Sequence, residues 1–518
     1  MKLNSRKTKQ STHVNFDGGK SYNLKDPFTR LRMVCASCFF GEPQYYKQEK
    51  DNKKPKALSE KIYDTLEDYV PVFDDFWQKL SPSQIIEKAI DECLDKDPED
   101  TLKIAVALRN EDYMRITPQV ILVRAAMHPK TRGTGIIRYF ADEICKRGDE
   151  PMVCFSYFRK AFPGQKFPQN LKKALRDILE SFDDYVISKY KLEKNEVTMK
   201  DIIKYTHAYS NSIKKLFEGK QKQTEKTWNS IVSNSKEKDN KKTWEKALNK
   251  MPHMALLRNL RNLEKNDISQ EKWKDNFLKG VKFGKQFPFR YWSAFNAVSD
   301  EKTKDIIEEA MELSFDNVPK FKGKTLCLSD NSGSARGTTT SELGTVQIST
   351  IGNLSSIVVC KKSDDADFVV FGDKAIKIPC RKKSSTFDIL KEANEAPVGG
   401  ATEAGLWIWL RNAIDKKIHY DRIFVFSDMQ AGYGQLYGNY SVIKSNRANH
   451  TWGHTYISVS SLIREYREKV NPNCSLFLIQ TAGYTDTIMP EFYDNTFIIG
   501  GWSQGVIRFA QEMEKIFQ

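Results

Sequence analysis

The sequence predicts a multidomain chain in which an all-helical first part is followed by an α/β second part. Two observations carry that division. From Pro27 to about Phe315 apolar residues recur at helical spacing with little strand signal, and after about residue 320 short apolar runs alternate with helical stretches. A third sets the scale: 518 residues hold two or three domains at about 100–200 residues each. With 40% hydrophobic and 12% aromatic residues, the chain can build packed cores, which excludes a disordered polymer. No apolar run approaches the roughly 18 residues of a membrane span.

Taken in order, residues 1–25 read as a flexible basic arm. Its MKLNSRKTKQSTHVN lacks the apolar core of a signal peptide, so a cytoplasmic protein is expected. The helical domain is expected over 26–320 and the α/β domain over 321–518. The clearest helical period lies at 171–186, where Leu171, Leu175, Ile178, Phe182 and Tyr185 fall on one face. Lys172, Lys173 and Arg176 lie together on the other side near its start, a solvated face unless a polyanion binds it. Shorter helices are expected at Met199–Tyr205, capped by Thr198, and around Ile213–Phe217. Residues 219–242, rich in Lys, Gln, Ser and Asn, read as a surface insertion. Trp244 to Leu263 resumes the helical pattern. About 290 residues of short amphipathic helices suit an α-solenoid of HEAT type better than a compact bundle.

In the second part strands are expected at 324–329, 368–371, 374–378, 422–427, 474–480 and 496–500. Helices are expected at 387–394, 403–415, 457–467 and 502–516. That alternation implies a mostly parallel, doubly wound sheet. The segment Ala431–Gly453, rich in Tyr, Asn and Gly, reads as a lid or a long surface connection.

A net charge of +15 points to a polyanionic partner, most commonly nucleic acid, with an acidic membrane surface or acidic protein as alternatives. The nine cysteines are scattered through predicted helices and strands, as reduced buried thiols are. Cys35 and Cys38 form a CxxC, but no second pair follows at zinc spacing.

The chemistry concentrates in Lys324–Ser334, KTLCLSDNSGS. An apolar strand delivers Asp330, Ser332 and Ser334, one carboxylate and two hydroxyls, from one tight loop at its carboxyl end. Open α/β sheets place ligand sites there, and hard oxygens suit a small divalent cation such as Mg²⁺; the plain alternative is a Ser/Gly turn. Two later segments complete a pattern. Val398-Gly399-Gly400-Ala401-Thr402-Glu403 is a Gly-rich turn opening a helix, and Arg422–Ser427 is a second buried strand ending on Asp428. Strand–DxSxS, turn–Thr–helix and strand–Asp in this order resemble the metal-ion-dependent adhesion site of a von Willebrand factor A domain, a doubly wound, Rossmann-like fold. In that family Thr directly follows the glycines; here Ala401 intervenes.

A basic helical-repeat module followed by such a domain resembles the Ro ribonucleoprotein family, whose helical part is the TROVE domain. The resemblance rests on FPQNLKKALRDILESFDDYVISKY (167–190), MKDIIKYTHAYS (199–210), TWEKALNKMPHMALLRNLRNLEKN (243–266) and PFRYWSAFNAVS (288–299). It implies a ring of HEAT-like repeats closed by contact with the A domain. Y-type small noncoding RNA would bind the basic outer surface, and single-stranded ends of misfolded RNA would enter the hole, in RNA quality control. The family's RNA-binding Lys-Ala and His fall on Lys173, Ala174 and His207; Lys172 and Arg176 join them through the shared face. A lone His at a helix end is more commonly a cap. Tyr205 or Tyr209 could stack on an unpaired base. Lys130, Arg132, Arg159, Arg258 and Arg261 are weaker candidates.

The reading favoured is a noncatalytic, monomeric RNA-binding scaffold. A divalent ion held by Asp330, Ser332, Ser334, Thr402 and Asp428 would hold the ring or recruit a partner such as a nuclease. The alternative is an adhesion or assembly protein whose A domain binds an acidic protein ligand, which does not require the basic face. A metal-dependent hydrolase generally needs clustered carboxylates or a positioned base, whereas only Asp330 and Asp428 converge, and His419, His450 and His454 lack suitable partners.

Overall fold

The protein is described from a computed structural model. It describes residues 12–14, 20–23, 26–37 and 82–501, less short stretches at 113, 191–196, 220–226, 236–239, 285, 287, 338–345, 400–402, 430–436, 445–446, 457–458, 483–485 and 488–494, together with five residues beyond 501. Two compact units result: Ile86–Phe277, and Met1–Ile85 with Leu278–Gln518. Composition changes near residue 320, yet the helices of 278–320 and the N-terminal helix group with the sheet.

Within the stretch expected as a flexible arm lie two strands, β1 (Thr12–Val14) and β2 (Lys20–Asn23). They pair with each other, and β2 pairs again with a later two-residue strand. Helix α1 is Pro27–Ser37. Then come α2 (Pro82–Lys96), α3 (Pro98–Asn110), α4 (Thr117–Met127), α5 (Ile136–Ile144), α6 (Glu150–Ala161), α7 (Gln169–Ser181), α8 (Asp184–Tyr190), α9 (Met199–Thr206) and α10 (Asn211–Phe217). Helices α11 (Trp228–Asn234), α12 (Lys241–Leu248) and α13 (His253–Lys265) follow.

Local chemistry sets these borders. Asp97 accepts from the backbone N–H groups of Glu99 and Asp100, with Pro98 at the first helical position of α3. Thr198 and Asp201 form a reciprocal capping box on α9, and Ser210 caps α10. In the first helical unit, α3 packs on α4 and α5, α5 on α7, α4 on α6, α7 on α9 and α8 on α10. Packing on the next helix and on the next but one is what a stacked array of helix pairs requires. Between them Arg124 bonds Asp91 through Nε at 2.7 Å and the Tyr157 hydroxyl at 2.9 Å, and Tyr157 donates to Glu87 at 2.6 Å.

The other unit continues with α14 (Lys274–Gly284), which the unit border crosses, and with α15 (Pro288–Phe295) and α16 (Glu301–Ser314). It then alternates: β3 (Phe321–Asp330), α17 (Gly333–Gly337), α18 (Ile348–Lys362), β4 (Ser363–Phe371), β5 (Ala375–Ile378), α19 (Thr386–Glu395), α20 (Glu403–Asp415), β6 (Arg422–Ser427). After these come β7 (Tyr437–Lys444), β8 (Arg447–Tyr456), α21 (Val459–Lys469), β9 (Ser475–Gln480), β10 (Asp486–Thr487) and β11 (Thr496–Gly500). Eight strands form one sheet in the order β11-β9-β6-β3-β4-β5-β8-β7. The five from β11 to β4 are parallel, and β5, β8 and β7 join antiparallel. The segment expected as a lid or surface connection is therefore largely a hairpin that extends the sheet.

Strand alternation decides the layers. Leu326, Leu328, Ile423, Val425, Leu476 and Leu478 face a core shared with Leu406, Leu410, Leu462 and Tyr466 of α20 and α21. The other face carries Cys327, Phe424, Phe477 and Phe497 side by side in register, with Phe424–Phe477 and Phe477–Phe497 stacked at 4.8 and 5.1 Å. Helix α18 covers that face, and Gly352 lets it approach: a Cβ there would lie 2.8 Å from Ser329 Oγ and 3.3 Å from Phe426. At the sheet edge Gly500 gives α1 the same access, since its Cβ would meet the Met33 carbonyl at 2.5 Å. Of the helix expected at 502–516, the described residues are helical, and Glu514 accepts from Arg422 Nε at 2.6 Å in a buried pair.

Candidate functional site

On α7, Leu171, Ala174, Leu175, Ile178 and Leu179 are buried, leaving Lys173 exposed and Lys172 and Arg176 half-buried on the opposite side. The predicted stripe runs further than the helix. Phe182 ends α7, and Asp183 accepts from Val186 N–H at 2.8 Å and starts α8, so Tyr185 is exposed instead of continuing the core face. Capping chemistry outweighs the apolar period at that point. Ala174 is 2% exposed, so its methyl packs into the core and presents nothing to a ligand.

Helix α9 packs on α7 and brings the other candidates. The Lys172 ammonium lies 5.3 Å from the centre of the Tyr205 ring, a cation–π distance. Tyr205 is 41% exposed and rests on Phe155 and Phe167. Tyr209 N–H donates to Glu180 at 2.9 Å. Residues 205–209 thus follow α7 from Lys172 to Glu180, with exposed His207 between the two contacts. His207 is the C-cap of α9 and adopts φ 59°, ψ 35°. That left-handed conformation disfavours any residue with a Cβ by about 1–2 kcal/mol. Arg176 Nε stands 3.9 Å from Asp177, which also pairs with Arg138 of α5. Sequence reasoning missed Arg138 and its neighbour Tyr139, 77% exposed. Their signal was the apolar pattern Ile137, Phe140, Ala141 and Ile144, which turns positions 138 and 139 outward. Lys130, Arg132 and Arg159 are also exposed in this unit.

In the α/β unit, β3 and β6 are neighbours in parallel register, Ser329 beside Phe426, so Asp330 and Ser427–Asp428 emerge together. Ser427 Oγ donates to Asp330 Oδ2 at 2.6 Å, and Ser332 N–H donates to Oδ1 at 2.9 Å. The Ser332 and Ser334 hydroxyls lie 3.2 Å apart. Asp330 and Asp428 are 2% and 1% exposed. Burial, and then the neighbouring Asp428 charge, pushes the Asp330 carboxyl up to about 7, against the pull of its Ser427 and Ser332 hydrogen bonds.

The approach to the Gly-rich turn is strapped to this loop. Arg336 donates to the carbonyls of Ala396 at 2.6 Å and Val398 at 3.1 Å, Asn331 Nδ2 to Ala393 at 2.7 Å, and Gly399 N–H to Asp373. Gly372 permits the contact, because its Cβ would meet the Gly399 carbonyl at 2.3 Å. Ala401 and Thr402 lie outside the described residues. The structure therefore brings Asp330, Ser332, Ser334 and Asp428 together at one strand end. It adds Ser427, which sequence reasoning passed over because it reads as the last residue of a buried strand.

Two buried carboxylates beside two hydroxyls form a hard-oxygen set, which fits a small divalent cation. Among the described residues no three His, Cys, Asp or Glu side chains cluster as metal ligands, so carboxylate and hydroxyl would have to share that role. The eight described cysteines are free thiols, all but Cys380 buried; Cys38 of the CxxC lies outside the described residues. No helix among the described residues is long and apolar enough to cross a membrane.

Comparison with known proteins adds two findings. The TROVE domain family matches residues 218–328. This stretch includes 243–266 and 288–299, and the α7–α9 face lies ahead of it. The crystal structure of the RO (RSR) protein of Deinococcus radiodurans is similar over 94% of this chain and 100% of that one, with a TM-score of 0.54 and 13% identity. At that identity the likeness is one of fold. Comparison with curated sequences gives no match.

Proposed function

We propose, on the TROVE-domain match and the shared fold that together support a bacterial Ro-family protein, that this chain is an RNA-binding scaffold. Its helical unit is read as a HEAT-type ring. Structured small noncoding RNA of Y type binds the face of α7 and α9, and single-stranded ends of misfolded RNA enter the ring, as RNA quality control requires. The observation that carries the reading is the continuous strip formed by Lys172 and Lys173 on α7 with Tyr205, His207 and Tyr209 alongside.

The chemistry follows from exposure. Lys173 and Lys172 neutralise phosphates and release counterions, which makes affinity fall steeply with salt. Tyr209, 68% exposed, offers a face on which an unpaired base stacks, and His207 donates to a phosphate or base edge. Ala174 acts through packing, holding α7 close to its neighbours so that Lys173 stands at the right height.

The α/β unit is read as a von Willebrand A domain. Asp330, Ser332, Ser334 and Asp428 would hold a divalent cation, Mg²⁺ by preference, with Thr402 as the further ligand the motif implies. A bound ion supplies a Lewis-acidic position that an acidic side chain of a protein partner can complete. Ser427 and Ser332 N–H orient the Asp330 carboxylate, and Arg336 holds the neighbouring turn.

The test is binding of purified protein to a structured small RNA and to RNA with a single-stranded 3′ tail, across a salt titration, for wild type and Lys173→Ala/His207→Ala. Submicromolar, salt-steep binding that the double variant loses supports the reading. Weak binding indifferent to both substitutions overturns the α7–α9 site.

A further inference from the structure

We infer that the turn joining β5 to α19, carrying Arg381, Lys382 and Lys383, is a phosphate-backbone contact for RNA on the α/β unit. The inference rests on the RNA-binding reading above and extends it to a unit that the reading uses only for metal and protein contact.

Three consecutive cations stand exposed on this turn. None of them forms an ion pair with a described residue. Lys324 pairs with Asp365 and Asp367, Lys377 with Asp367 and Lys469 with Glu465, whereas Lys322, Lys374, Lys391, Lys416 and Lys417 are exposed without an ion pair among the described residues; what sets the turn apart is that its three cations are consecutive. The carboxylates at the base of the turn are also occupied. Glu312 takes Lys361 and the Thr386 hydroxyl, Asp316 takes Lys362 at 3.6 Å, and Glu308 accepts from Phe387 N–H at 3.2 Å. The first turn of α19, which follows directly, carries one acid, Asp388.

The base of the turn is built rigidly. Ser384 N–H donates to the Arg381 carbonyl at 3.1 Å, Lys361 Nζ donates to the Ser384 carbonyl at 2.7 Å from a side chain 5% exposed, and Ser385 Oγ caps α19 by accepting from Asp388 N–H at 3.0 Å. Phe387 is buried against Trp292 and Phe295. The cations therefore project from a fixed platform. Lys361 lies in the last turn of α18, just before β4 begins at Ser363, so the turn sits near the amino ends of the strands. The Asp330 site lies at their carboxyl ends, and the two sites do not compete.

The chemistry selects the partner. Consecutive side chains with point or forked positive charge suit the regular negative charges of a nucleic-acid backbone. No large exposed apolar side chain lies on the turn, so nothing there would insert into a membrane interface. No exposed aromatic offers a stacking face, so the contact carries no base preference.

The experiment compares full-length wild type, Arg381→Gln/Lys382→Gln/Lys383→Gln and Lys173→Ala/His207→Ala on one structured small RNA across a salt titration. Thermal unfolding confirms each fold, and vesicles containing anionic lipid run as a parallel arm. With about 0.7–0.9 counterions released per neutralised phosphate, the triple variant should lower the slope of log affinity against log salt by about 2 and weaken binding about tenfold near physiological salt. An unchanged slope and affinity in the triple variant, while the Lys173/His207 variant loses binding, overturns the turn and leaves the α7–α9 site standing. Vesicle binding lost in the triple variant with RNA binding intact overturns it in favour of a membrane. A wild type that binds no RNA removes both.

Discussion

The α7–α9 strip and the Asp330 site manage charge in opposite ways. Lys173 and His207 are exposed, and keeping the Lys173 ammonium costs the fold little because water already solvates it. Asp330 and Asp428 are buried side by side, and two carboxylates out of water repel each other unless a proton or a cation intervenes. The exposed strip can bind a large polyanion whose affinity depends on salt. The buried pair can bind only something small, and that ligand becomes linked to the stability of the unit. The comparison teaches that net charge is informative only with its burial.

The strongest way to break the comparison is to remove the buried charge. A divalent ion at about a hundred times its Kd should stabilise the wild type by about 2.7 kcal/mol, read as a rise of roughly 5–10 °C in Tm. Asp330→Ala/Asp428→Ala should show no such rise in a Mg²⁺ titration followed by thermal unfolding. An equal rise in the variant would place the ion elsewhere.

Next comes the exposed strip. Lys173→Ala/His207→Ala should weaken RNA binding by about 10–30-fold, the scale of one to two charge-assisted contacts, without moving Tm by more than about 1 °C. A matching loss of Tm would show that the strip is structural.

The pH dependence sharpens the contrast. The Asp330 carboxyl is raised in the folded state to about 7. Between the ordinary carboxylate range and that value the folded protein binds more protons than the unfolded one. This group's contribution to metal-free stability therefore declines as pH rises, by at most about 1.4 kcal/mol per pH unit. Glu150 and Glu514 are also raised by burial and act in the same direction, so the measurement is the difference between wild type and Asp330→Asn in Tm from pH 4 to 8. A flat difference contradicts the buried pair. Divalent-ion affinity should fall as pH drops below about 7, because the proton competes for the same oxygens.

The smallest effect concerns His207. Replacement by Gly relieves a left-handed conformation at φ 59° and should raise stability by about 1 kcal/mol or less. RNA affinity should fall at the same time. A gain in stability with unchanged affinity would make His207 a cap and nothing more.

Much of the α/β unit was legible because its strands are short apolar runs bounded by turn residues, and all six expected strands are present. Helix α18 was not. Its residues Ile348 to Cys360 are buried almost throughout, so it shows no amphipathic period, and Gly352 and its β-branched residues argue locally against a helix. Gly352 is there for the approach to Ser329 and Phe426, a reason that lies on other strands. The hairpin β7–β8 was read as a lid or surface connection because its Asn and Gly residues signal turns, although its tyrosines favour strands. Its strand character comes from pairing, as Ala375 with Ala448 and Ile376 with Arg447 extend the sheet.

By itself the sequence determined the change from helical to alternating elements near residue 320, the helix cap at Thr198, the cationic side of α7 and the presence of Asp330 and Asp428 at strand ends. Each of these depends on residues within a few positions of one another, where periodicity and capping chemistry act. Only the tertiary structure decided that Ala174 is buried, that Tyr205 lies under Lys172, and that Asp330 receives a hydrogen bond from Ser427, 97 positions away. A side-chain period states which face of an element is apolar, but not which other face it meets. That choice belongs to the packing of the whole unit, and the burial of the two carboxylates follows from it.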